Sequence, residues 1–510
     1  MTAPAMTTAP NQVRALLRLR WQMVRVPGVR LAIALAGVLV LYLLEAAVTS
    51  TSRLSVPALA TAVRLGPTAF LGFGVLAVVA PLTAGGGNEI FPPDQLVAYP
   101  VRPSTQFLGG LILAPVNLVW VLQLVVLAAE TAYLCAGLPP GGSPLLGGVT
   151  TAMFVAALTV LGQAVAWLVV GLRQTVGGRR TVQVTALLVL AVGFFVVRTG
   201  SGPAFLDASP THTVVRGVIA GGSGDLGRWA ATTAGLLALL LTALLAGSRV
   251  CGWALRRPGD ATVVGESRQV RRRRPGKSAL HELVTVDRAS VWRAPALRRG
   301  GLVLAVMPGL ISAGGAVPWT SLVILPGLVA AGAGLLFGVN AFCLDASGAV
   351  WLASLPHAPG LVARAKVIVL TETVAGAVVV AAVAGSLRSP GLPTPAELSA
   401  IVAAAIACTA VVVATGMAMS VRHPHRAELR GPRDAVAPPG ALAFASLRLA
   451  APAALVGVVL EGAAQSGAAF LPPLLALPVV GVAWWSLRRS LRRYDDPLCR
   501  SRIVQTVSSG

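Results

Sequence analysis

The sequence predicts an all-α, polytopic membrane protein of about twelve transmembrane helices, set out as two tandem six-helix repeats with the N- and C-termini inside. Three observations predict it. Apolar runs of about 18 residues or more recur along the chain, each long enough to cross a hydrocarbon core. Only 12% of residues are charged, about half the share usual in soluble domains, and mean hydropathy is +0.78. The alternating apolar and polar pattern of a membrane β-barrel is absent, so helices must satisfy the backbone in lipid.

The elements follow in order. Arg14, Arg18, Arg20, Arg25 and Arg30 precede an apolar stretch too long for the core of a cleavable signal, so 31–50 reads as a retained first span. Spans at 65–84, 107–136, 146–170, 182–198 and 227–248 complete a first half. A polar, Arg-rich segment occupies 249–299. Spans at 301–317, 319–339, 367–385, 398–420, 449–465 and 467–487 make the second half. The expected domains are a first transmembrane half (1–250) with an N-terminal amphipathic helix, a basic cytoplasmic linker (251–300) with a second amphipathic helix, and a second transmembrane half (301–510) with a short tail. In the first amphipathic helix Arg14, Arg18 and Arg25 share one face, with Val13, Leu16, Leu17 and Val24 broadly opposite. Such a helix lies in the membrane interface.

The chain carries 41 Lys and Arg against 18 Asp and Glu, a net charge of +23. In a soluble protein that balance points to nucleic acid. Here 35 of the basic residues fall in loops and tails on one side, and six (Arg53, Arg64, Arg198, Arg216, Arg228 and Arg388) on the other. The positive-inside rule accounts for that split and places both termini in the cytoplasm, with no nucleic-acid partner. Only Lys277 and Lys366 are lysines. Cys135, Cys251, Cys343, Cys408 and Cys499 are scattered and imply neither a metal site nor a disulfide framework.

The halves share punctuation. "RVPGVR" (25–30) and "RAPALR" (293–298) both read R-x-P-x-x-R, and each follows a tryptophan, Trp21 or Trp292. After the second and eighth spans the apolar pattern breaks: Asn88 leads to "PVRP" (100–103) and Asn340 to "PHAP" (356–359). Arg173 and Arg422 follow the fourth and tenth spans. The common order suggests a tandem duplication whose halves are related by an axis along the membrane normal. Prolines end helices and stiffen the segments they bracket. The two breaks therefore read either as ordinary loops or as stiff knuckles that move two helices together.

An amphipathic helix, two spans, a proline-containing cytoplasmic loop and four more spans resemble the permease subunit of type-2 ABC exporters. The doubled pattern is similar to the double-length permeases of actinobacterial ABC exporters. Their first-half loop of the form F-P-x-x-x-L-x-x-x-P-V is matched by Phe91, Pro92, Leu96, Pro100 and Val101. Their second-half loop is matched by Asn340, Phe342, Asp345, Gly348, Leu355 and Pro356. Ala365–Lys366 fits loosely the small-basic pair that opens the third helix in that family. Gly109–Gly110, its counterpart in the first half, lacks the basic residue. The resemblance implies export powered by a separate cytoplasmic ABC ATPase, in two copies, docked on loops at about 88–105 and 340–360. The candidate coupling residues are Phe91, Pro92, Asp94, Pro100, Arg102 and Pro103 in the first loop, and Asp345, Pro356, His357 and Pro359 in the second. It also implies a bacterial plasma membrane, and no cofactor on this chain, ATP and Mg being held by the partner.

The chain is not expected to be an enzyme. "RRRRPGKSA" (271–279) contains Gly-Lys-Ser, but Arg271 stands where a P-loop needs glycine and no strand precedes it. Arg271–Arg274 suit topological anchoring, with contact to membrane lipids as a by-product. Ionisable groups within spans point to function. Asn117, Glu130, Glu372 and Thr373 are candidates for a substrate pathway, the alternative being hydrogen bonds between helices. A largely apolar pathway suits a hydrophobic, drug-like or lipid-like substrate. The competing readings are an ion-coupled secondary transporter, which twelve spans in two parallel repeats also describe, and a polytopic membrane enzyme.

Overall fold

The computed structural model describes residues 66–75, 77–78, 102–113, 118–136, 142–173, 175–199, 208–257, 278–314, 316–358, 360–425 and 439–508. The first expected span, the first R-x-P-x-x-R copy, Phe91, Pro92, Asp94, Pro100, Asn117 and Pro359 lie outside them. No strand occurs among the described residues, and the protein is an all-α, polytopic membrane protein. Six described helices are long and apolar enough to cross a membrane, or seven if a pair bent by 83° is counted as one span. The chain divides into two compact units, with described residues at 66–257 and 278–508.

The first unit contains a helical segment at 66–75, then α1 (Pro103–Leu113), α2 (Leu118–Ala136), α3 (Pro144–Arg173), α4 (Val176–Thr199), α5 (Pro210–Ser223) and α6 (Leu226–Leu255). Its core joins Phe70, Phe73 and Phe154, with Phe70 and Phe154 centroids 5.1 Å apart. α3 and α6 pack along each other, and α1 sets Phe107 into a notch at Gly247. A Cβ at Gly247 would come within 2.2 Å of that ring, so only glycine admits the phenyl. The stretch between the fifth and sixth expected spans is not a plain loop. Pro210 opens α5, Val214, Val215 and Val218 bury one face of it, and Gly224 ends it in the left-handed region at φ 86°.

The second unit begins with α7 (Ala279–Arg293), the amphipathic helix expected before the seventh span. Ser278, the serine of Gly-Lys-Ser, is its N-cap and accepts a hydrogen bond from the His281 N–H at 3.2 Å. The R-x-P-x-x-R motif is a corner. Ala294 is extended, as the residue before proline tends to be, and α8 (Pro295–Gly314) leaves at 83° to α7. The next pass is broken into α9 (Trp319–Leu322), α10 (Leu325–Ala333), a π-turn at Gly334–Gly338 and a 3₁₀ turn at Cys343–Asp345. The short α11 (Gly348–Ser354) stands in the proline-marked loop. Then come α12 (Gly360–Ser386), α13 (Pro395–Arg422), α14 (Pro439–Gln465), α15 (Leu471–Asp495) and α16 (Pro497–Ser508). Thr394 and Glu397 form a capping box at the start of α13. The expected short tail is instead an extension of α15 followed by α16.

Hydrogen bonds fix the two ends of this unit. At one, the Trp319 Nε1–H donates to Gly391 O (3.2 Å) and the Ser389 hydroxyl to Val317 O (2.9 Å). At the other, Asn340 Nδ2 donates to His425 O (2.6 Å) and Arg502 Nη2 to Arg422 O (2.7 Å). Among the described residues of this unit, every Lys and Arg except Arg388 belongs to the second end.

Candidate functional site

The site lies at the basic end of the second unit, where the broken pass leaves the helical ladder. At the π-turn, Gly338 and Gly416 meet backbone to backbone: a Cβ on Gly416 would come within 3.0 Å of the Gly338 Cα. A π-turn leaves backbone groups unpaired, and here side chains take them up. The Ser420 hydroxyl donates to Gly338 O (2.9 Å), and the Ala341 N–H donates to Ser420 Oγ (2.9 Å). The segment from Gly334 to Asp345 is thereby fixed to the end of α13.

Asp345 closes this segment, and its carboxylate meets Lys366 on the second turn of α12 at 2.7 Å. Asp287 of α7 meets the same ammonium at 2.5 Å. Lys366 is 4% exposed, Asp287 is buried and Asp345 nearly so. One cation thus stands between two carboxylates from two other elements. Removing a charge from water costs several kcal/mol, and this arrangement offsets the cost only while all three partners are present. A cavity of about 30 Å³ adjoins the cluster, lined by Asn340, Cys343 and Thr373 among others. Val284 packs on Ala365 and Val369 beside it, so α7 adheres to α12 by apolar contact as well.

A second pair joins the same two helices. Arg288 Nε and Nη2 donate to the two oxygens of Glu372, at 2.7 and 2.5 Å. This fork is half-exposed at the surface of α12, where solvent weakens it. Ala346 follows at φ 42°, a region alanine rarely occupies, and turns the chain into α11. The loop is braced from behind by the C-terminal helices. Phe342 stacks on Tyr494 with centroids 5.2 Å apart and planes at 2°. Ile503 and Val507 of α16 are buried beneath α11, beside a cavity of about 80 Å³ that Arg500 and His357 also line. On the outer side of α11, Val350 and Trp351 are 55% and 69% exposed.

The structure therefore places the expected residues as follows. Asp345 lies in the buried cluster, its carboxylate turned to Lys366 and not to solvent. Pro356 is exposed, and the His357 ring lies between the carbonyl oxygens of Leu352 (2.9 Å) and Ala358 (3.2 Å). Glu372 is paired with Arg288, and the Thr373 hydroxyl donates to Val369 O (2.6 Å). In the first unit Arg102 is exposed and Pro103 opens α1. Glu130 Oε1 is buried near Gly66 and has no hydrogen-bond partner among the described residues. Asp287, Tyr494 and the α16 brace were not singled out from sequence. Lys366 was noted only as one of two lysines and as part of a small-basic pair. No group of three or more metal-ligating side chains is found among the described residues. Comparison with family models, with curated proteins and with solved structures gives no match to this chain.

Proposed function

We propose that the chain is the membrane-spanning permease subunit of an ATP-binding cassette exporter. In this reading a separate cytoplasmic ATPase, in two copies and carrying ATP and Mg, docks on the loops near 88–105 and 340–360. The observation that carries the reading is the build of the second loop. It offers Val350 and Trp351 to solvent on one side and is tied to α7 and α12 on the other through Asp345, Lys366 and Asp287. An exposed apolar turn on a fixed base suits a partner that pushes. Displacement of α11 would pass to α12 through the ion cluster and to α7 with it. The substrate class that fits the apolar composition is hydrophobic, drug-like or lipid-like, moved out across a bacterial plasma membrane, with twelve spans in two parallel halves and both termini inside.

The test is affinity purification of the tagged full-length chain from its native membrane, with associated proteins identified by mass. The expected result is a nucleotide-hydrolysing partner near two copies per chain, diminished by Trp351→Asp. A chain that repeatedly purifies without such a partner would sink the reading. One observation favours a second reading, an ion-coupled secondary transporter: the buried oxygen of Glu130, which has no hydrogen-bond partner among the described residues.

A further inference from the structure

α15 presents one continuous face to its surroundings, and the composition of that face changes along its length. At 100° per residue Leu474, Leu477, Val482, Trp484, Trp485, Arg488, Arg489, Arg492 and Arg493 fall within one half of the helix, and all are exposed. Ala476, Ala483, Leu487, Ser490 and Tyr494 occupy the other half and are buried. The exposed face is apolar first, then aromatic, then cationic. From Leu474 to the tryptophan pair is about 15 Å, the thickness of one leaflet's hydrocarbon. Arg488 and Arg489 come about 6 Å later, at headgroup depth. Their guanidinium groups lie over the rings one turn back, Arg488 on Trp484 at 4.7 Å and Arg489 on Trp485 at 5.6 Å. Tryptophan at the interface and arginine beyond it is the order in which a phospholipid presents acyl chain, glycerol and phosphate.

The neighbouring helices add to the charge. Arg422 ends α13, and Arg448, in the third turn of α14, lies near enough for its charge to act on Arg422. The charges acting on Arg422 are all cationic, from Arg493, Arg489 and Arg448. Burial, with Arg448, Arg422 and Arg502 around it, holds His423 below the ordinary imidazole range. Asp495, the nearest acid on the α15 face, leans toward the start of α12 at Gly360. The cluster is a set of guanidinium groups crowded together at the membrane surface, and a guanidinium fork matches a phosphate oxygen pair.

We infer that the ends of α13 and α15 form a binding site for an anionic phospholipid. Its phosphate is held by Arg489 and Arg493 with Arg422, its glycerol region lies against Trp485, and one chain runs along Val482 and Leu474, which share one stripe of the helix at 100° per residue. The site does not depend on the transport reading.

The test uses the full-length protein, delipidated in mild detergent and offered equal amounts of phosphatidylglycerol and phosphatidylcholine. Retained lipid is quantified by mass spectrometry. The expected result is phosphatidylglycerol enriched about tenfold, falling to parity in the double variant Arg489→Gln/Arg493→Gln and unchanged in Arg388→Gln at the opposite end. Equal retention of the two lipids by the unaltered chain, or the same enrichment in the double variant, would overturn the inference. So would competition by glycerophosphate as strong as that of the whole lipid, since the chain-binding stripe would then contribute nothing. A second readout needs no variant. Phosphatidylglycerol brominated near the headgroup should quench tryptophan emission more than its phosphatidylcholine counterpart, and equal quenching counts against the site.

Discussion

Lys366 is held by geometry that another cation does not reproduce. An ammonium is compact and fits between two carboxylates at 2.5 and 2.7 Å, whereas a guanidinium is a planar fork. Lys366→Met leaves Asp287 and Asp345 facing each other without a counter-charge, and the expected loss of stability is about 3–5 kcal/mol. Lys366→Arg should not restore it, while Asp287→Asn added to Lys366→Met should recover part of the loss. Thermal unfolding of the purified chain measures all three, and an unchanged midpoint for Lys366→Met would refute the account. The cue for this residue was present in composition: one of two lysines in a chain that otherwise uses arginine. Its partner was not legible. Asp287 lies 79 residues away on an amphipathic helix, and only the packing of α7 on α12 joins them. Glu372 was legible as an ionisable group in a span, but not as the partner of Arg288, for the same reason.

Among elements, those with a strong local signal were the ones read correctly. Apolar runs gave α3 and α13 to within three residues at each end, and α6 and α12 with one end each seven residues short, because a span needs length and apolarity and little else. α5 was missed because it is short and glycine-rich, and its burial comes from tertiary packing against α2, α3 and α6. α16 was missed because a basic, polar tail carries no apolar run; two side chains, Ile503 and Val507, bury its inner face. These two residues make the brace behind α11. Ile503→Ala combined with Val507→Ala should loosen α11 without unfolding the spans. Hydrogen exchange at 346–358 is expected to quicken at least about tenfold while exchange in α12 and α13 is unchanged. Equal exchange in the variant would show that α11 stands without α16.

At the scale of the whole molecule, charge sorts the second unit by end. Among the described residues of this unit the basic side chains other than Arg388 gather at the end where α7 and α16 both contact the 3₁₀ turn Cys343–Asp345, and the opposite end carries Glu397 and Glu461. If that sorting sets orientation, Leu392→Cys should react with a membrane-impermeant maleimide in intact cells, and Trp351→Cys only after lysis. The reverse pattern would invert the chain. Motion of the basic end is constrained by how its parts are keyed. Asp287 and Arg288 are neighbours of opposite sign on α7, and Lys366 and Glu372 answer them in order along α12. A slide of α7 toward Glu372 sets carboxylate against carboxylate, and a slide the other way sets guanidinium against ammonium. The two helices therefore have one permitted alignment and no graded series of neighbouring ones. They travel together or part altogether, which makes this joint a clutch and not a spring.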